Sequence, residues 1–144
     1  MNTISSDVRS DAGRSLVDHS LPPARRILLV DDHSLVLETM AVALADEDRL
    51  RVDTATTVEA ALALFAELGR YDVVLLDYQV PGMSGLDGLR ALIVANEGSV
   101  VLFSGVASRQ IVERAMDCGA SGYIPKTLPL KSLRHAIQFI ADGE

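Results

Sequence analysis

The sequence is short of several things. Tryptophan is absent, and Phe and Tyr bring the aromatic share to only 4%. The core must therefore come from aliphatic side chains, and 49% hydrophobic residues over 144 positions can supply one compact domain. Cys118 is the single cysteine, which rules out an internal disulfide and fits a reducing compartment. No apolar run reaches the roughly 18 residues that a membrane-spanning helix needs. The first two dozen residues lack the apolar segment of a secretory signal, so the cytoplasm is the expected location. Positive charge is scarce too: 13 Lys and Arg stand against 20 Asp and Glu, a net charge of −7. Phosphate backbones and anionic lipids would repel such a surface, so neither direct nucleic-acid binding nor membrane attachment is expected. The three histidines, His19, His33 and His135, are too scattered to make a metal site, and His33 reads as a solvent-facing loop residue.

What is present falls into two parts. Residues 1–24 are rich in Ser, Asp and Arg, show no sustained periodicity and run through Pro22-Pro23, the pattern of a flexible leader. From Arg25 the pattern changes, and one domain is expected over residues 25–144. Ile27-Leu28-Leu29-Val30, Val73-Val74-Leu75-Leu76 and Val100-Val101-Leu102-Phe103 are short apolar runs suited to strands covered on both faces. Leu50 to Ala55 alternates instead, as an edge strand would, and Gly122-Tyr123-Ile124-Pro125 is a fifth candidate whose proline also suits an edge. Helical stripes lie between them. Leu37, Met40, Ala41 and Leu44 form one; Ala61, Leu64, Phe65 and Leu68 form a second, opened by a Thr56-x-x-Glu59 capping box and closed by Gly69. Ile111, Ala115 and Cys118, with Cys118 read as a small buried apolar residue, precede Gly119. Leu133, Ile137 and Ile140 follow Pro129, which is placed in a first helical turn. A segment from Leu86 to Ile93 is the least regular, because Gly88 sits inside it. Five strands alternating with five helices predict an α/β fold: a parallel, flavodoxin-like sheet of order 2-1-3-4-5 with helices on both faces.

In such a sheet, ligands bind beyond the carboxyl ends of the strands. The residues expected there are Asp31 and Asp32 after strand one, Asp77 after strand three, Ser104 ending strand four and Lys126 after strand five. Two like charges about 4 Å apart cost roughly 4 kcal/mol at an effective dielectric near 20. Lys126 offsets part of this repulsion, and a hard divalent cation, Mg²⁺ above all, would offset the rest. An aspartate so placed is a competent nucleophile toward a phosphoryl group, while Ser104 and Lys126 can donate to its oxygens.

The runs Leu29-Val30-Asp31-Asp32-His33, Leu75 to Gly85 around Asp77, Phe103-Ser104-Gly105 and Gly119 to Lys126 occur in this order. Together they resemble the receiver domains of two-component response regulators, over about Arg26 to Ala141. The Asp-Asp-His opening and the Gly-Ala-x-Gly-Tyr stretch look most like the NarL/FixJ subfamily. The resemblance implies a set of roles. Asp77 is the phosphoacceptor; Asp32 is a direct metal ligand and Asp31 an acidic partner acting through water. The carbonyl of Gln79 completes the Mg²⁺ ligands. Ser104 senses the phosphoryl group, Lys126 contacts it, and Tyr123 is the aromatic switch. It further implies a sensor histidine kinase or phosphotransfer protein as donor, and a homodimer formed on phosphorylation. The chain would be a phosphoacceptor signalling domain, not a turnover enzyme. One departure is visible: many family members carry proline after the lysine, where this chain has Thr127 and places Pro125 before it.

Each residue also has a plain structural reading: Asp31-Asp32 as a helix cap, Ser104 as a turn former, Tyr123 as packing and Pro81 to Gly85 as a turn. A docking scaffold and an aspartyl-phosphate phosphatase remain as alternative functions, though Gln79 stands where the phosphatase motif would need Asp. The NarL/FixJ resemblance implies a DNA-binding output domain after the receiver. The sequence ends at Asp142-Gly143-Glu144, so both a receiver portion of a transcriptional regulator and a stand-alone receiver stay open.

Overall fold

The computed structural model describes residues 24–45, 49–105 and 107–143, and the expected leader therefore lies outside it but for Ala24. Strands β1 (Arg25–Val30), β2 (Leu50–Ala55), β3 (Val73–Leu76), β4 (Ser99–Ser104) and β5 (Gly122–Pro125) are separated by helices. These are α1 (Ser34–Ala45), α2 (Val58–Leu68), α3 (Asp87–Asn96), α4 (Arg109–Asp117) and α5 (Leu130–Ala141). All strand pairs are parallel, and the sheet order is β2-β1-β3-β4-β5, as the alternation predicted. The two strands with the least continuous apolar character, β2 and β5, take the edges.

Period-two alternation sorts the strand residues into two cores. Leu28, Val30, Val74, Leu76, Val100 and Leu102 meet Ala61 and Phe65 of α2, Leu89 and Leu92 of α3 and Ala115 of α4. Ile27, Leu29, Val73, Leu75, Val101 and Phe103 meet Leu37 and Leu44 of α1 and Leu133 and Ile137 of α5. Each such aliphatic side chain, fully buried, contributes about 1.5–3 kcal/mol relative to exposure. Two layers of helices on a doubly covered sheet therefore account for a core made almost without aromatics. Among the described residues, no helix is long and apolar enough to cross a membrane.

Several local expectations are corrected. The hydroxyl that caps α2 is Thr57, not Thr56: its Oγ1 accepts from the Ala60 N–H at 2.9 Å. The expected pairing of Thr56 with Glu59 is therefore out of register by one residue. Pro129 stands just before α5 with ψ 148°, extended backbone that the first turn of a helix does not use. Cys118 ends α4 half-buried, followed by Gly119 at φ +109°. There the N–H groups of Gly119 and Ala120 return to the carbonyls of Met116 and Ala115, the double closure typical of a left-handed glycine. Gly88, the irregularity in α3, is explained by space: a Cβ there would lie 2.8 Å from the Met83 Cα and 2.9 Å from the Gly82 carbonyl oxygen.

Candidate functional site

The register of β1 on β3 pairs Val30 with Leu76, so the next residues, Asp31 and Asp77, leave the sheet side by side. Backbone bonds hold both in place: Asp77 N–H donates to the Val30 carbonyl at 2.9 Å and Asp31 N–H to the Ala55 carbonyl at 3.0 Å. Between β1 and β3 the chain order reverses, which leaves a crevice at the carboxyl ends of these strands. Lys126 arrives from the other side. It follows β5, and its N–H continues the ladder onto the Ser104 carbonyl. The peptide bonds around it, like all those described, are trans.

The side chains converge there. Lys126 Nζ donates to Asp31 Oδ2 at 2.5 Å and to Asp77 Oδ2 at 3.3 Å, and it lies 5.8 Å from the centre of the Phe103 ring. Asp31 and Asp77 are buried, at 4% and 2% exposure, so a bridging ammonium is what makes two adjacent carboxylates tolerable inside the protein. Burial alone would raise the Asp31 carboxyl, but hydrogen bonds from Lys126 and His33 outweigh it and hold the group below its ordinary range. Burial likewise pulls the Lys126 ammonium down, and the bond to Asp31 with the charges of Asp77 and Asp31 reverses this and holds it up. Asp32 is more open, with a side chain 40% exposed. Gln79 is exposed, and its N–H reaches Asp77 Oδ1 at 3.3 Å.

Ser104 and Tyr123 are brought together beside this cluster. Ser104 is fully buried at the end of β4, and the Tyr123 hydroxyl donates to its backbone carbonyl at 3.1 Å. Tyr123 is half-buried against the core on the α2–α3–α4 side of the sheet.

One residue set aside in the sequence belongs to the cluster. His33 has an exposed side chain, as expected of a loop, yet its Nδ1 lies 2.8 Å from Asp31 Oδ1 and 3.2 Å from Asp32 Oδ1. Its backbone N–H also donates to Asp31 Oδ1, at 3.0 Å. An Asp accepting from the N–H two residues on is a common turn device, and that was the signal available in Asp31-Asp32-His33. The bond to Asp31 and the charges of Asp31 and Asp32 raise the imidazole above its usual value. One donor atom each from Asp31, Asp32, His33 and Asp77 lies within 4.8 Å of the others. A compact set made mostly of carboxylate oxygens fits a small divalent cation, Mg²⁺ included.

Comparison with known proteins points the same way. The family model described as the response regulator receiver domain matches residues 27–138. The chain is 34% identical over 122 residues to the glycerol metabolism activator of Pseudomonas putida, covering 82% of this chain and 54% of that one. It is 35% identical over 121 residues to the response regulator GacA of Pseudomonas protegens, covering 83% and 56%. The chain thus spans about half the length of the curated relatives it matches. Among solved structures it is similar to the signal receiver domain of the response regulator NarL from Mycobacterium tuberculosis. That match has a TM-score of 0.73 and 31% identity, and covers 85% of this chain and all of that one. It is also similar to a LuxR-family two-component response regulator from Aurantimonas, with a TM-score of 0.75, 28% identity and coverage of 84% and 87%. Sheet order, the residues gathered at its carboxyl edge and these matches agree, and the chain belongs to the response regulator receiver domain family of two-component systems.

Proposed function

We propose that this receiver accepts a phosphoryl group on Asp77, in a Mg²⁺-dependent reaction, from a sensor histidine kinase or a phosphotransfer protein, and that the modification controls an output. The observation that carries this reading is the bridge from Lys126 Nζ to Asp31 Oδ2 and Asp77 Oδ2 at the carboxyl edge of the sheet. It joins a buried carboxylate to a cation that can follow the charge as it moves onto a phosphoryl oxygen.

In the reaction, an Asp77 carboxylate oxygen forms a new P–O bond as the P–N bond of a phosphohistidine donor breaks, and the bonding electron pair leaves on the imidazole nitrogen. Bound Mg²⁺ would neutralise charge between the acids and the phosphoryl oxygens, held by Asp32, Asp77 and the Gln79 carbonyl, with Asp31 acting through water. Lys126 donates to the phosphoryl oxygens from its place over Asp77, and the Ser104 hydroxyl donates from the end of β4. Burial of Asp77 excludes bulk water from the acyl phosphate. Because Tyr123 is tied to the Ser104 carbonyl, a shift of Ser104 toward the phosphoryl group repacks Tyr123 and the α4–β5–α5 face. That face is where a second phosphorylated copy would dock, and the output is transcriptional control, as further relatives of 31–34% identity named transcriptional regulatory proteins suggest. The cytoplasm, where such donors act, is the proposed location.

The test is incubation with Mg²⁺ and a small acyl-phosphate donor, followed by intact-mass and peptide mapping. A single phosphoryl group on Asp77, absent in Asp77→Asn and lost on chelating the metal, is the expected result. An unmodified protein, or modification on another residue, overturns the reading. Rapid repeated hydrolysis of the donor would favour a phosphatase instead.

A further inference from the structure

Helices α2, α3 and α4 lie on one face of the sheet, and they do not cover it evenly. α2 and α3 pack against each other, whereas α3 and α4 scarcely meet. The sequence of α4 explains the gap: Arg109, Gln110, Glu113, Arg114 and Asp117 are polar, and Ala115 is the buried residue of the helix. So little apolar surface gives α4 small reason to close on its neighbour. A groove of about 490 Å³ is left between the two, a size that suits a small organic ligand. Its floor is apolar. Leu86 is buried there, and Tyr78, Ile111 and Cys118 pack on the core from one side yet stay only half-buried.

Arginines line the groove from both helices, Arg90 on α3 and Arg114 on α4. Arg90 pairs with Asp87 at 3.0 Å, an exposed i,i+3 contact of little worth. Among the described residues, the Arg114 guanidinium has neither hydrogen bond nor ion pair. Asp117 also borders the groove, so its lining carries two positive charges against one negative, in a chain whose net charge is −7. A guanidinium meets carboxylate or phosphate oxygens with two parallel N–H donors, and half-covered aliphatic and aromatic surface suits a flat apolar body beside them. We propose that this groove binds a small aromatic anion of nucleotide size. Its carboxylate or phosphate is held by Arg90 and Arg114, and its ring lies on Tyr78, Leu86 and Ile111. Tyr78 follows Asp77 in the chain, but the groove shares no residue with the acidic cluster, so the two sites are separate.

The test titrates the full chain calorimetrically, with a metal chelator present, against adenosine monophosphate and naphthoate. Adenosine and naphthamide serve as their uncharged counterparts. At least one anion is expected to bind with a Kd below about 1 mM. Which of them binds separates a phosphate ligand from a carboxylate one. Arg114→Ala and Arg90→Ala should each weaken binding about tenfold or more, the usual effect of losing a hydrogen bond to a charged group. Both side chains are exposed, so the fold survives either change. Arg109→Ala, on the same helix as Arg114 and with a side chain 92% exposed, should leave affinity unchanged. Cys118 is the single thiol of the chain, and its alkylation by a neutral maleimide should slow as the anion saturates the groove. Binding of neither anion, equal binding of the uncharged counterparts, or affinity indifferent to Arg114→Ala overturns the proposal. Binding that leaves Cys118 alkylation unchanged puts the anion elsewhere and overturns it too.

Discussion

Tyr71 shows how much one side chain can be asked to hold. It is fully buried, packs its ring at a tilt against Phe65 with centroids 5.8 Å apart, carries the Arg26 guanidinium 4.6 Å above its ring and donates its hydroxyl to Asp53 Oδ2 at 2.7 Å. Burial first, then the bond to Asp53 and its charge, push the phenol up from 10.0 to about 12. A phenol held protonated in the fold contributes stability that is complete below the unfolded value and lost as pH rises through the folded one. Urea unfolding of the native protein should therefore lose stability between pH 10 and about 12, and Tyr71→Phe should show less of that loss. At pH 7 the same substitution should cost about 1 kcal/mol, the net worth of one hydrogen bond. A variant whose stability tracks the native protein through the alkaline range would contradict the assignment. Residue identity at the acidic site was legible because Asp31, Asp32, Asp77 and Lys126 each follow an apolar strand. His33 was not, because the approach of its ring to two carboxylates depends on a turn that spacing alone does not specify.

At the scale of elements, register decides more than residue type. Two adjacent threonines could each have capped α2, and backbone geometry selects Thr57. Thr57→Ala should cost about 1 kcal/mol, the usual value of an N-cap, while Thr56→Ala should be nearly silent. Thermal or urea unfolding of the two variants side by side checks this, and equal losses would restore Thr56 as a cap. Gly88 makes the same point by packing. Alanine there gains about 1 kcal/mol of helix propensity, yet its Cβ would press on the Met83 Cα and the Gly82 carbonyl, backbone atoms that cannot rotate aside. Overpacking of this kind costs about 1–3 kcal/mol, so Gly88→Ala should be destabilising by up to about 2 kcal/mol net. An unfolding curve showing stabilisation would mean that the turn before α3 yields. The glycine that made α3 look irregular in the sequence is thus what lets the helix sit against the loop leaving Asp77.

For the whole molecule, one parallel sheet separates two cores and gathers chemistry at one rim. Helices α4 and α5, which flank β5, carry exposed apolar side chains: Met116 on the first, Leu130 and Phe139 on the second. If phosphorylation repacks Tyr123 as proposed, the α4–β5–α5 face should become a dimer contact, seen as faster sedimentation of the phosphorylated chain; equal sedimentation of both forms would count against it. Composition and periodicity by themselves determined the strand and helix types, the parallel order of the sheet and the acids at its edge. They could do so because apolar runs, stripes and turn residues are local signals set by covalent geometry and by water. Only the tertiary structure decided that Lys126 bridges Asp31 and Asp77, that Tyr123 holds the Ser104 carbonyl and that His33 turns onto the carboxylates. These contacts join residues by the pairing of strands and the closure of loops, and such distances are fixed by packing across the fold, not by neighbours along the chain.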